Sequence, residues 1–168
     1  MSMRCLCNVL RFAVLAALAF GAVLPAAGEP RSRALHCLAT AVYFEARGES
    51  AKGQRAVAEV VLARTRVKGR PKTVCGVVFQ GSHRKWRCQF SFACDGRSDV
   101  ARNKKAWKRA KKIAAAALGA RAKGKSKVVR GATFYHARYV KPRWAKHMVV
   151  VARIGAHIFY KPKHGRLS

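Results

Sequence analysis

Four of the six cysteines constrain the fold of this chain more than any other feature, because Cys5 and Cys7 belong to an apolar N-terminal leader and the other four follow it. In an exported chain, four cysteines predict two disulfides, which can be connected in three ways. The short spacing between Cys88 and Cys94 favours a Cys88–Cys94 bridge together with Cys37–Cys75. A zinc site is the alternative, but the spacings contain no C-x2-C pair, and an oxidising compartment favours disulfides.

The leader at residues 1–28 has the features of a secretory signal peptide. Arg4 and Arg11 form a positively charged start, residues 12–24 are apolar, and residues 26–28 are small. An uncleaved N-terminal anchor is the alternative, although the apolar run is short for a membrane span. We therefore expect one domain at residues 29–168, with its core at about 35–160, in the periplasm or outside the cell and in contact with the cell wall.

The charge of the chain predicts an anionic partner. The sequence has 36 Lys and Arg but only six Asp and Glu, which gives a formal net charge of +30, or +28 without the two leader arginines. Nucleic acid is the usual partner of so basic a protein. An exported protein meets anionic wall polymers and membrane surfaces instead, so we expect no specific nucleic acid. Nothing in the sequence indicates a cofactor or a metal, and we expect a monomer.

Apolar periodicity predicts a helix-rich chain that ends in short strands. Helices are expected at residues 35–44, at about 51–67 with Ser50 as N-cap, at 74–80 with Thr73 as N-cap, and at 99–118 with Ser98 as N-cap. Strands are expected at 133–136, 148–152 and 157–160. Residues 29–33 are expected to be frayed. The segment 81–98, rich in Gly, Ser and aromatic residues, is the natural place for a binding loop.

Two of the six carboxylates, Glu45 and Glu49, lie four residues apart at the end of an apolar run. A carboxyl group at the edge of an apolar segment is partly desolvated, which raises its pKa towards that of a general acid. Glu49 precedes a helix N-terminus, where the helix dipole favours the ionised form. Glu45 is therefore the better candidate acid. A solvated pair with Arg47 as partner is the alternative. Glu59 is expected to be a surface residue paired with Arg55.

Five motifs follow one another along the chain. They are residues 43–49 (YFEARGE) with 53–64 (GQRAVAEVVLAR), 74–80 (VCGVVFQ), 88–92 (CQFSF) with 95–96 (DG), 131–136 (GATFYH), and 154–155 (IG) with His157 and Phe159. In this order they resemble the spore-cortex-lytic (SleB-type) cell wall hydrolase family, over about residues 35–160. Members of that family often have Asn where Ala63 stands, so the role of that amide is missing from this chain.

The resemblance implies a helix-dominated α+β single domain with a small antiparallel sheet, similar to lytic transglycosylases and lysozymes. It implies a peptidoglycan hydrolase that cleaves the N-acetylmuramyl–N-acetylglucosamine backbone. The first glutamate of the Glu-Ala-Arg-Gly-Glu motif would be the catalytic acid, which is Glu45 here. Ordinary glycosidases need a second carboxylate. A lytic transglycosylase does not, because the muramyl C6 hydroxyl attacks instead. With so few acids in the chain, we expect this one-glutamate route.

Aromatic and amide side chains are typical of the walls of a glycan groove. The candidates for substrate binding are Glu49, Gln89, Phe90, Asp95, Tyr135, His136 and Trp144. Four of them have a named simpler alternative: Phe90 as a core residue or loop plug, Trp144 as a core residue, Asp95 as part of an Asp-Gly turn, and His136 as a structural residue. For the chain as a whole, the alternative function is a non-catalytic basic module that binds wall polyanions or nucleic acid.

Overall fold

The computed structural model of the chain describes residues 28–85, 87–125 and 128–163. These ranges contain α1 (Arg31–Ala46), α2 (Ala51–Arg64), α3 (Val74–Val78) and α4 (Lys104–Ala122), followed by β1 (Phe134–Ala137), β2 (Met148–Ile154) and β3 (His157–Pro162). Short 3-10 helices lie at Ser91–Cys94 and Arg143–His147. The predicted helix-dominated α+β fold with a small antiparallel sheet is confirmed. The predicted leader lies outside the described residues except for Gly28.

Helix α1 is the centre of the helical half of the molecule. Leu38, Ala39, Ala41 and Val42 are completely buried, because α1 packs against α2, α3 and α4. The buried residues of α4 that face α1 are alanines, and their small side chains let the two helices approach closely. Within the described residues, no helix combines the length and the hydropathy that a membrane span requires.

The sheet packs on the other side of α2. Its strand order is β1-β3-β2, and both pairs are antiparallel. Phe159 on the central strand β3 is completely buried in a second core with Val57 and Val60 of α2. Helix α2 therefore lies between the helical core and the sheet, and this arrangement brings β1 to the carboxyl end of α1.

Both predicted disulfides are confirmed. Cys37–Cys75 joins α1 to α3, with a Cα–Cα distance of 5.2 Å, and Cys88–Cys94 closes the loop after α3, with a Cα–Cα distance of 6.0 Å. The zinc alternative is therefore wrong for these four cysteines.

Four predicted boundaries of α2, α3 and α4 differ from the structure. Helix α4 begins at Lys104, because Asn103 rather than Ser98 caps it: the Asn103 side chain accepts a 2.9 Å hydrogen bond from the Ala106 N–H. The Tyr43 hydroxyl accepts a 3.0 Å hydrogen bond from the Asn103 N–H and fixes this start. The helix runs past Gly119 and ends before Gly124, whose φ of 64° is left-handed. Helix α2 ends at Arg64 and α3 at Val78, two to three residues before their expected ends.

The first residues of the domain are ordered rather than frayed. Helix α1 begins at Arg31, four residues before its expected start. The Glu29 carboxylate accepts hydrogen bonds from the Val74 and Cys75 N–H groups, at 2.7 and 3.0 Å. Glu29 therefore caps the N-terminus of α3, where a carboxylate also complements the helix dipole.

The prediction that Glu59 is a surface residue paired with Arg55 is wrong. Glu59 is only 7% exposed, because the segment before β1 covers this part of α2. Its Oε2 accepts hydrogen bonds from the Val128 and Val129 N–H groups, at 2.9 and 3.1 Å. Glu59 therefore holds the segment that leads into the sheet.

Candidate active site

Glu45 lies in the last turn of α1 and borders a small pocket between the helices, β1 and the loop after α3. The volume of this pocket is about 140 Å³. It is lined by Glu45, Arg64, Gln89, Phe90, Ser91 and Tyr135. Four of these six residues are candidates from the sequence. Arg64 and Ser91 are additions that the sequence pattern does not assign.

The carboxyl group of Glu45 is held by Tyr135. The Tyr135 hydroxyl donates a 2.8 Å hydrogen bond to Glu45 Oε2. Burial raises the pKa of Glu45 above its ordinary value of 4.5, while the Tyr135 hydrogen bond and the Arg64 charge oppose the rise. Burial and the nearby Glu45 raise the pKa of Tyr135 well above 10.0, so this donor stays neutral. The pocket thus favours a protonated Glu45, as a general acid requires.

Arg64, the last residue of α2, brings a buried positive charge to the pocket. Its Nε donates a 2.7 Å hydrogen bond to the Thr133 carbonyl, and its guanidinium lies 5.3 Å from the centre of the Phe90 ring. Burial lowers the pKa of Arg64 to about 10, so the group remains charged at neutral pH. Its Nη1 is buried and has no hydrogen-bond partner among the residues described. One donor beside Glu45 is therefore uncommitted.

The loop after α3 forms one wall of the pocket. Phe90 is buried and stacks on Phe92, with 5.9 Å between ring centroids. The Gln89 N–H donates to the Gln80 carbonyl at 2.8 Å, and Gln89 Oε1 accepts a 2.7 Å hydrogen bond from Arg70. The Cys88–Cys94 disulfide closes the same loop. Backbone and side chain of Gln89 are therefore both fixed.

His136 and Trp144 do not line the pocket; they belong to a neighbouring aromatic cluster. His136 Nε2 lies 2.7 Å from the Tyr160 hydroxyl, within hydrogen-bond distance. The Trp144 ring centroid is 5.5 Å from those of Phe134 and His136. The Arg70 guanidinium lies 5.7 Å from the centre of the Phe134 ring. Arg70 therefore joins this cluster to the pocket wall.

The Asp95 side chain makes a local contact. Its Oδ1 accepts a 2.9 Å hydrogen bond from the Arg97 N–H across Gly96, whose φ is 77°. This is the Asp-Gly turn given as the simpler alternative for Asp95.

Glu49 faces the β2–β3 turn instead of the Glu45 pocket. Its carboxylate oxygens accept long hydrogen bonds of 3.3 and 3.4 Å from the Ala156 N–H, and Oε1 lies 3.8 Å from His157 Nδ1. A Cβ atom at Gly155 would overlap the Glu49 carboxylate. Burial lowers the pKa of His157, although Glu49 opposes this shift. Glu49 therefore ties the hairpin to the α1–α2 junction.

Among the residues that the structure describes, Glu45 is the only carboxylate that lines this pocket. Glu29 and Glu59 bind backbone N–H groups elsewhere, and Asp99 is exposed. Across ranges 28–85, 87–125 and 128–163, no group of three His, Cys, Asp or Glu side chains is arranged to hold a metal ion.

The chain belongs to the cell wall hydrolase family, whose sequence profile matches residues 48–160. More narrowly, it is a SleB-type cell wall hydrolase. The fold is similar to the crystal structure of the catalytic domain of the Bacillus cereus SleB protein, with 29% sequence identity, a TM-score of 0.61, and coverage of 82% of this chain and 95% of that one.

A second similar structure is the catalytic domain of the germination-specific lytic transglycosylase SleB from Bacillus anthracis. Here the identity is 30%, the TM-score is 0.61, and the similarity covers 82% of this chain and 100% of that one. The comparison with curated proteins finds no match. The matched family residues begin at Gly48, so the assignment of Glu45 depends on the geometry of the pocket.

Proposed function

We propose that this wall-degrading enzyme is an exported lytic transglycosylase that cleaves the bond between N-acetylmuramyl and N-acetylglucosamine residues, with Glu45 as its general acid and base. The observation that carries the proposal is the Glu45 carboxyl, which is half-buried, bound by Tyr135 and adjacent to Arg64 in an open pocket. The similarity to a protein described as a lytic transglycosylase supports the same reaction. Export follows from the predicted signal peptide at residues 1–28 and suits an enzyme whose substrate is the wall.

The reaction balances with one carboxyl group. Protonated Glu45 gives its proton to the glycosidic oxygen as the bond from that oxygen to the muramyl C1 breaks. The Glu45 carboxylate then takes the proton of the muramyl C6 hydroxyl, whose oxygen forms the new bond to C1. The products are a free N-acetylglucosamine hydroxyl and a 1,6-anhydromuramyl end. No water is consumed, and Glu45 is protonated again at the end of the cycle.

The neighbours of Glu45 have distinct roles in this proposal. Tyr135 orients the carboxyl by donating to Oε2, which leaves Oε1 to carry the proton. The Arg64 charge limits the rise in the Glu45 pKa, so that the group can also act as a base. Gln89, whose side-chain oxygen is held by Arg70, can bind sugar substituents through its amide N–H groups.

The aromatic cluster with His136 and Trp144 extends the proposed groove, since both residues are half-buried and aromatic rings bind sugars by stacking. Phe90 has an indirect role, because its buried ring packs against the Arg64 guanidinium and supports it. Glu49 and Asp95 are left out of the proposed groove, because their carboxylates already bind the β2–β3 turn and the Arg97 N–H.

Mass analysis of the fragments released from purified sacculi tests the reaction type. The proposed route predicts fragments that end in 1,6-anhydromuramyl, each lighter by one water than the corresponding hydrolysis product. Reducing muramyl ends would show hydrolysis instead. Binding to sacculi without any released fragment would favour the non-catalytic basic module. Inactive Glu45→Gln protein serves as the control for fragments already present in the sacculi.

Replacing Arg64 should change the pH profile of the enzyme. The Arg64 charge lowers the pKa of Glu45, so Arg64→Gln should raise that pKa further and shift the alkaline fall of kcat/KM to higher pH. Arg64→Lys keeps a positive charge, so its alkaline fall of kcat/KM should stay closer to that of the wild type. Arg55→Gln on the same helix is the control and should change nothing. An unmoved alkaline limb in Arg64→Gln would show that Arg64 does not act on Glu45.

A further inference from the structure

The structure contains a second cavity, which Thr133 helps to line. Its volume is about 300 Å³. Helix α2 with the turn after it, the last turn of α4 and the segment before β1 form its walls. Thr133 connects this cavity to the Glu45 pocket, because it lines the cavity and its carbonyl accepts the hydrogen bond from Arg64.

Three arginines converge on the cavity, one from the turn after α2, one from the last turn of α4 and one from the segment before β1: Arg66, Arg121 and Arg130. In the part of the chain that the structure describes, none of them has a carboxylate within ion-pair distance. Burial lowers the pKa of Arg121, and the like charge of Arg66 lowers it further. The one acidic residue of the lining, Glu59, has its Oε2 bound to two backbone N–H groups. The lining therefore has an excess positive charge that a ligand could neutralise.

The rest of the lining is apolar, apart from one uncommitted hydroxyl. Leu62, Val67 and Val129 supply aliphatic surface. Thr133 Oγ1 is buried and has no hydrogen-bond partner among residues 28–85, 87–125 and 128–163. Guanidinium groups bind carboxylates and phosphates in a bidentate manner. The aliphatic wall distinguishes the two, because an alkyl group adjoins the carboxylate of a small amino acid, whereas a phosphate is polar on all sides.

We propose that this cavity binds the terminal carboxylate of a peptide that ends in a small aliphatic residue, supplied by a peptide stem of the glycan strand. This source of the peptide rests on the proposed action on peptidoglycan. An extended chain spans about 3.3–3.6 Å per residue, so a stem of four residues reaches about 13–14 Å from its sugar. The cavity would then select strands that carry free stem ends, and the Arg64–Thr133 hydrogen bond links it to the Glu45 pocket.

A binding experiment tests the cavity without using activity. Mature Glu45→Gln protein is titrated with N-acetylalanine, and binding is followed through the NMR signals of the arginine Nε–H groups. We expect binding at about 1–10 mM, as for a small fragment. N-acetylalaninamide, which lacks the carboxylate, should bind at least about tenfold more weakly. The affinity for N-acetylalanine should fall at least about tenfold in the variant Arg66→Gln/Arg121→Gln/Arg130→Gln. It should fall less in Arg130→Gln alone.

The control variant is Arg97→Gln/Arg102→Gln/Lys105→Gln, which removes the same charge from exposed positions outside the cavity and should bind like the wild type. Equal losses of affinity in the two triple variants would show that this cavity is not the binding site. Tighter binding of inorganic phosphate than of N-acetylalanine would overturn the peptide assignment in favour of a phosphate.

Kinetics with catalytically intact protein test the source of the peptide. On strands that carry stems, the cavity variant should show a KM raised at least about tenfold with kcat unchanged. On strands freed of stems by an amidase, variant and wild type should be equal. A similar loss on both substrates would contradict the proposal. Failure of the wild type to cleave either substrate would refute the proposed function and leave the binding result intact.

Discussion

Glu45→Gln should lower activity on purified sacculi by a factor of about 10² or more, which is the usual contribution of a positioned general acid. The substitution keeps the shape of the side chain and an oxygen that can accept the Tyr135 hydrogen bond, but it removes the transferable proton. The measurement is the rate of release of soluble fragments, with folding checked by thermal unfolding.

Glu49→Gln is the matched control, with the same change four residues along the chain. Its activity should fall less, because Glu49 makes only long contacts with the β2–β3 turn. Near-full activity of Glu45→Gln together with an inactive Glu49→Gln would mean that the wrong glutamate of the pair has been assigned.

The Glu45→Gln protein should also be more stable than the wild type at alkaline pH. The folded-state pKa of Glu45 is raised, so the native state holds this proton more tightly than the unfolded chain. Wild-type stability therefore falls as pH rises from the ordinary value of 4.5 through the raised folded value, and the Gln variant lacks this loss.

Glu59→Ala should destabilise the protein by about 3–6 kcal/mol, because hydrogen bonds to charged groups contribute about 1.5–3 kcal/mol each and two are lost. The buried N–H groups of Val128 and Val129 would have no acceptor. The same segment leads to Thr133, the acceptor for Arg64, so activity should fall with the loosening of that contact. Urea unfolding gives the free energy difference.

Glu59→Gln provides the comparison, since its amide oxygen can still accept a hydrogen bond. It should lose roughly half as much stability as Glu59→Ala. A loss of less than about 0.5 kcal/mol in Glu59→Ala, as is usual for surface substitutions, would contradict the buried position of this residue.

The parts of the fold that were predictable from the sequence are those with local causes. Ser50 and Thr73 cap their helices through the N–H groups of Gly53 and Gly76, three residues further on, as the sequence pattern predicts. The pairing of Cys88 with Cys94 likewise follows from their short separation.

The predictions that were wrong depended on distant parts of the chain. Ser98 and Asn103 are both good N-caps, and the choice between them is fixed by Tyr43, 60 residues away. Glu59 appears solvent-facing beside Arg55 until the segment at residues 128–129 covers it, 69 and 70 residues along the chain. Periodicity within one helix contains no information about such contacts.

The residues of the candidate site also divide into those with a local signal in the sequence and those that depend on distant contacts. Glu45 is recognisable because its motif is contiguous with an apolar helix. Arg64 has only a weak signal, an arginine in the stripe of α2 that contains Val57, Val60 and Val61, and its acceptor Thr133 is 69 residues away.

Titration of the Glu45 carboxyl group by NMR tests the central claim most directly. The domain has few carboxylates, and the signal that disappears in Glu45→Gln identifies this group. We expect its pKa in the folded protein to lie above 4.5 and to coincide with the alkaline fall of kcat/KM on glycan strands. A Glu45 pKa at or below 4.5, or an alkaline limb that persists in a variant without this carboxyl, would contradict its role as the catalytic acid.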